Sequence, residues 1–178
     1  PPAPTGRGER APLAAGLRSR LRDLGDGFRR SLGPETDWTP DRLRALLHRQ
    51  LRGDEVIVVS NRAPYLHEAS SQGPVLRQPA SGLVTALEPV MRACSGTWVA
   101  HGSGSADRDT VDAHGRIAVP PADPRYTLRR VWLSAEEEQG YYYGFANEGM
   151  WPLCHVAHVR PVFRESDWQH YRAVNERF

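Results

Sequence analysis

Leu13, Leu17, Leu21, Leu24, Phe28 and Leu32 recur at steps of three and four. That spacing predicts an amphipathic helix with arginines on its opposite side. A second helix is predicted from Thr39, with Pro40 at its first position, Asp41 in its first turn, and Leu43, Leu46, Leu47 and Leu51 along it. The texture changes at Glu55. Val56, Ile57, Val58 and Val59 form a continuous β-branched run ending at Ser60-Asn61-Arg62, which predicts a strand buried on both faces, as in a parallel sheet. After a polar stretch holding Pro64, Gly73, Pro74 and Pro79, Ser81-Gly82 opens an amphipathic helix carrying Leu83, Leu87, Val90 and Met91, where Pro89 marks a kink or a change of register. Further strands are predicted at 97–101 and 126–133. Ser134 reads as a helix N-cap with Glu137 at the capping-box position, and Ser166 begins a last helix with Asp167 beside it. Strands alternating with helices make an α/β layered sheet. No internal repeat is present.

Charge divides this pattern. Residues 1–52 carry eleven arginines against six acids, and residues 53–178 twelve against fifteen, which places a boundary near Gly53. The first segment, with its Pro- and Gly-rich start, reads as an Arg-rich helical extension, 1–52. Its helices need a surface: the following domain or another subunit, with a membrane or nucleic-acid arm as the alternative. A net charge of +2 over 178 residues with no lysine excludes a strongly basic nucleic-acid binder. No apolar run reaches the length of a membrane span, so neither nucleic acid nor membrane is an expected partner. Cys94 and Cys154 lie far apart without a CxxC rhythm, which points to reduced thiols and a cytoplasmic setting. The chain starts without Met and stops at Phe178 inside a helical pattern, and reads as a fragment.

Several residues could carry chemistry. Arg62 ends the first strand, where ligands of open α/β sheets collect, and its planar fork suits phosphate; a surface ion pair is the competing reading. Gly82 leaves the amide groups of a helix start open to an anion, or is a plain turn glycine. Neither GxGxxG nor GxxxxGK[ST] occurs. The run from Tyr141 to His155, with Tyr142 and Trp151, offers stacking faces with polar tips for a sugar ring, or core packing. His155 and His158 lack companions for a metal site, and Asp107, Asp109 and Asp112 lack EF-hand spacing, so a solvated loop and no metal are expected.

The order of these signals is more specific than any one of them. VIVVSNR, SGLVTAL, GTWVAHGSG, YYYGFANEGMWPLCH and SDWQHYRAVNERF, over about 55–178, resemble the amino-terminal half of glycosyltransferase family 20, the trehalose-6-phosphate synthases and their relatives. The resemblance implies that residues 53–178 are part of the acceptor-side Rossmann-like domain of a two-domain GT-B enzyme. It implies a retaining transfer of glucose from a nucleotide sugar, usually UDP-glucose, to glucose 6-phosphate, without a metal or other cofactor. By the same resemblance Arg62 grips the acceptor phosphate, Gly82 lines the catalytic loop at the donor pyrophosphate, and Tyr142 and Trp151 contact the acceptor.

The sequence departs from that pattern twice. The usual Gly-Gly is Ser81-Gly82, and the usual WVGW is Trp98-Val99-Ala100-His101. His101 replaces an apolar acceptor-pocket face with an imidazole, which leaves open another sugar-phosphate or polyol-phosphate acceptor, or a non-catalytic sugar-phosphate-binding relative. The residues that hold the donor diphosphate in this family belong to the second domain, so 1–178 would form a half-site. A homo-oligomer is a further possible partner.

Overall fold

The computed structural model describes residues 39–155 and 158–178. The helix expected over 13–32 lies outside them. The chain divides into two units, Pro1–Thr39 and Pro40–Phe178, and every element below belongs to the second.

Helix α1 spans Pro40–Leu51 and buries Leu46. It packs on helix α2, Gly82–Cys94. The inward side of α2 is Val84, Leu87 and Met91, one stripe at steps of three and four; Leu83, expected on that stripe, is exposed. Pro89 stands inside the helix without ending it. The residue that lacks its donor is on the exposed side, where no packed neighbour depends on it.

The main sheet has the order β1-β4-β6-β5. Strands β1 (Ile57–Ser60), β4 (Thr97–His101) and β6 (Tyr126–Val131) run parallel, and β5 (Arg116–Val119) closes the far edge antiparallel to β6. A separate hairpin, β2 (Leu66–Glu68) with β3 (Val75–Arg77), rises from the stretch the sequence left as polar. Its three-residue strands are too short to show an alternation. The core lies between α2 and one sheet face: Val56, Val58, Trp98, Ala100, Tyr126, Leu128, Ile117 and Val119 gather there with Met91 and Val84.

Strand β1 corrects an expectation. Ile57 is 61% exposed and Val59 55%, because β1 is an edge strand and only the alternate residues Val56 and Val58 turn to α2. A continuous β-branched run does not report which of its faces is covered.

Past β6, Ser134 caps helix α3 (Ala135–Glu138) in a reciprocal capping box with Glu137. The chain continues as a π helix, Gln139–Met150, then as α4, Trp151–Cys154. Helix α5, Glu165–Asn175, packs along the π helix. Arg164, not Ser166, is its N-cap; Ser166 falls within the first turn, where Glu165 and Asp167 complement the helix dipole. The approach is close because a Cβ on Gly144 would stand 2.5 Å from the Asp167 carboxylate.

Glu137 has a second partner. Arg177 donates to both of its oxygens, and with the Ser134 amide this holds the carboxyl down at about 2 from an ordinary 4.5. A depressed acid pKa contributes stability above the unfolded value that is lost as pH falls toward the folded one. Glu137→Gln is therefore expected to remove part of the loss in stability between about pH 4.5 and pH 2, read as a shallower pH dependence of the urea midpoint.

Candidate functional site

The carboxyl ends of β1 and β4 are neighbours, with Ser60 in register with Ala100. A relay of hydrogen bonds fixes the turn that leaves β1. The indole of buried Trp98 donates to Ser60 Oγ over 2.9 Å, Ser60 Oγ donates to the Arg62 carbonyl over 2.7 Å, and the His101 amide donates to the Asn61 carbonyl. A fully buried Trp usually finds a partner for its N–H, and here that need sets the backbone of the residues leading to Arg62. The Arg62 side chain is exposed and makes no ion pair or hydrogen bond among the described residues.

Beside this turn lies an open pocket of about 130 Å³. Asn61, Arg62, His101 and Ser103 line it from the two strand ends, Pro79 from the approach to α2, and Glu138, Tyr142 and Tyr143 from the helical side. It occupies the crevice at the carboxyl edge of a parallel sheet, the usual ligand position in open α/β folds. His101 is 5% exposed, and burial pushes its imidazole below the ordinary value despite the opposing pull of Glu138 and Asp107. Burial thus favours the neutral form of the ring.

The loop that carries Ser103 is anchored ionically at the next residue, Gly104. Asp107, expected in a solvated loop, is fully buried in the 3₁₀ turn Asp107–Thr110. Its carboxylate accepts from Arg130 Nη2, from the His67 amide and from the Gly104 amide, each over 2.8 Å. The loop's composition suggested solvent; a buried arginine on β6 overrides it. Arg130 itself is drawn down by burial more than Asp107 raises it, and the pair ties loop, hairpin and sheet together.

Of the residues singled out in the sequence, Arg62, His101 and Tyr142 meet in the pocket. Gly82 does not line it. It is the first residue of α2, three positions after Pro79, and a Cβ there would touch nothing. Trp151 is also off the lining, half exposed and stacked on His155 at 4.2 Å. The aromatic run splits by role: Tyr142 and Tyr143 face the pocket, while Tyr141 stacks on Tyr171 and Phe145 packs on Trp168. Asn61, Ser103 and Glu138 join the lining unannounced. Glu138 was hidden as one more acid in a helix's first turn, a position that electrostatics alone favours.

The sequence profile of glycosyltransferase family 20 matches residues 54–178. The chain belongs to this family. Trehalose-6-phosphate synthase of Mycobacterium avium (strain 104) is 39% identical over 125 residues, covering 70% of this chain and 24% of that protein. The protein of the same name from Mycobacterium tuberculosis (strain CDC 1551 / Oshkosh) is 36% identical, with coverages of 70% and 25%. Among solved structures, an alpha,alpha-trehalose-phosphate synthase (UDP-forming) from Burkholderia vietnamiensis superposes with a TM-score of 0.45 at 24% identity, covering 68% of this chain and 22% of that one. The chain thus spans about a quarter of the length of the curated relatives it matches. The family match begins at Asp54, next to the Gly53 boundary drawn from charge, and takes in the pocket residues supplied by β1, β4, α3 and the π helix.

Proposed function

We propose that this chain supplies the acceptor-side half-site of a retaining glycosyltransferase of GT-B architecture, which moves glucose from a nucleotide sugar to a sugar phosphate. UDP-glucose and glucose 6-phosphate are the leading pair, giving trehalose 6-phosphate in the cytoplasm. The supporting observation is the convergence in one pocket, at the carboxyl edge of β1 and β4, of Tyr142, His101 and an Arg62 guanidinium that has no partner among the described residues.

Arg62 binds the acceptor phosphate through paired, charge-assisted hydrogen bonds, and its planar fork fixes orientation as well as affinity. Tyr142 lays a ring against the sugar and presents a hydroxyl. The reading rests on Tyr142 and not on Trp151, which lies outside the pocket. At the start of α2, Gly82 is exposed and Ser81 makes no side-chain cap, so the first amides of the helix are open toward an anion. They would stabilise the charge that gathers on the departing diphosphate as the glycosidic bond breaks. The second domain would provide the remaining donor contacts.

Transfer of labelled glucose from UDP-glucose to glucose 6-phosphate by the full-length protein tests this reading. A folded protein that transfers no sugar from any glucose nucleotide would leave the alternative, a sugar-phosphate-binding regulatory relative, which the imidazole of His101 in the pocket favours. Gly82→Ala separates folding from chemistry. Its Cβ meets open space at a helix start, so thermal stability should hold or rise slightly, whereas the turnover number should fall roughly 10- to 100-fold through lost close approach to the diphosphate.

A further inference from the structure

His101 is the anomaly of the pocket. Its side chain is only 6% exposed, yet its ring makes no hydrogen bond among the described residues. A polar ring that lines a pocket and has no protein partner is open to one from a ligand. The nearest candidate is Glu138, with Nδ1 3.8 Å from Oε1. That is beyond hydrogen-bond reach, and it is the kind of gap that one bridging oxygen closes. The Glu138 carboxylate is 30% exposed, lines the same pocket, and makes no hydrogen bond of its own among the described residues. Its neighbour Glu137 is committed to Ser134 and Arg177, so the two adjacent acids have different employment.

The charges facing His101 are Glu138, Asp107 and Arg130. Asp107 and Arg130 are locked to each other at 2.8 Å, which leaves Glu138 as the uncommitted charge of the three. A neutral imidazole has one N–H to give, and an ionised carboxylate can only accept. A hydroxyl placed between them accepts from the ring and donates to the acid, satisfying both. Across the same pocket the Arg62 guanidinium is open to an anion.

We propose that His101 and Glu138 form a two-point reader for one hydroxyl of the phosphorylated acceptor, Glu138 being the specificity-determining residue that sequence reading passed over. The inference rests on the acceptor-pocket reading above and adds to it the polar contact that selects among phosphorylated sugars and polyols. An apolar wall would select by shape and tolerate loss of a hydroxyl. A donor and an acceptor that the bound ligand desolvates but leaves unpaired reject the analogue that lacks the hydroxyl.

Titration of the full-length protein with glucose 6-phosphate and with its singly deoxygenated analogues tests the pair. One analogue should bind the wild type roughly 10- to 100-fold more weakly than the parent, and Glu138→Ala should shrink that gap to within about threefold. His101→Phe should act in the same direction, and in both variants competition by inorganic phosphate should be unchanged. The phosphate readout separates a hydroxyl contact from general damage to the pocket. Glu138 is partly exposed on a helix, so its alanine variant folds even if the His101 replacement does not. Equal binding of all analogues by the wild type, or a gap that survives Glu138→Ala, overturns the pair's role while leaving the acceptor site intact. No saturable binding of glucose 6-phosphate or of inorganic phosphate by the folded wild type overturns the underlying reading, and the pair's role with it.

Discussion

Arg62→Ala in the full-length protein is expected to raise KM for the phosphorylated acceptor on the order of 100-fold, with little change in thermal stability. The size follows from what the guanidinium does in the pocket. Each hydrogen bond between charged partners contributes about 1.5–3 kcal/mol, and a loss near 2.7 kcal/mol corresponds to about 100-fold in affinity. The stability expectation follows from what the side chain does not do. It is exposed and has no partner among the described residues, and only its carbonyl is engaged, by Ser60. Arg62→Lys should restore charge without the planar fork and recover only part of the binding. Steady-state kinetics over a range of acceptor concentrations, paired with thermal melts of both variants, check all three statements. A KM for acceptor unmoved by Arg62→Ala would remove the phosphate grip from the proposal.

Asp107→Ala should have the largest effect on stability, about 3–5 kcal/mol, because it leaves a buried arginine without its counter-charge. Arg130 is 3% exposed, and its Nε and Nη1 already lack partners among the described residues. Removal of the carboxylate would also free the Gly104 amide and the His67 amide that it now accepts from. The loop carrying Ser103 into the pocket would lose its anchor in the same step. Urea denaturation of the full-length protein measures the loss, and the double change Asp107→Leu with Arg130→Met should recover much of it, since well-packed apolar groups replace a buried pair at little cost. An Asp107→Ala variant as stable as the wild type would show that the counter-charge contributes nothing to this fold.

Loss of Asp107 would thus act on the pocket through the loop that carries Ser103, and loss of Arg62 directly. The two are distinguishable because only the second leaves the denaturation midpoint in place.

Local chemistry was legible where one residue's own geometry or charge decides the outcome. Pro40 at a helix start, the Ser134 and Glu137 capping box, and the strand at 97–101 stand where the sequence places them, and the strand expected over 126–133 ends two residues early, at Val131. So does Arg62 beyond the end of β1, because a β-branched run must stop somewhere and the residues after its carboxyl end occupy the crevice. The ordered motifs also carried the family before any coordinate did.

What the sequence could not hold is any fact created by two distant segments meeting. Ile57 and Val59 are exposed because β1 lies at an edge, and strand order is not written in a strand's own residues. Asp107 is buried because Arg130, on a strand entered after two further turns of chain, comes to meet it. Glu138 faces His101 only after the π helix and sheet have been assembled around one pocket. Propensity, capping and alternation act over a few residues and survive in the linear code, whereas burial, ion pairing and the sharing of a cavity depend on separations the chain acquires only by folding.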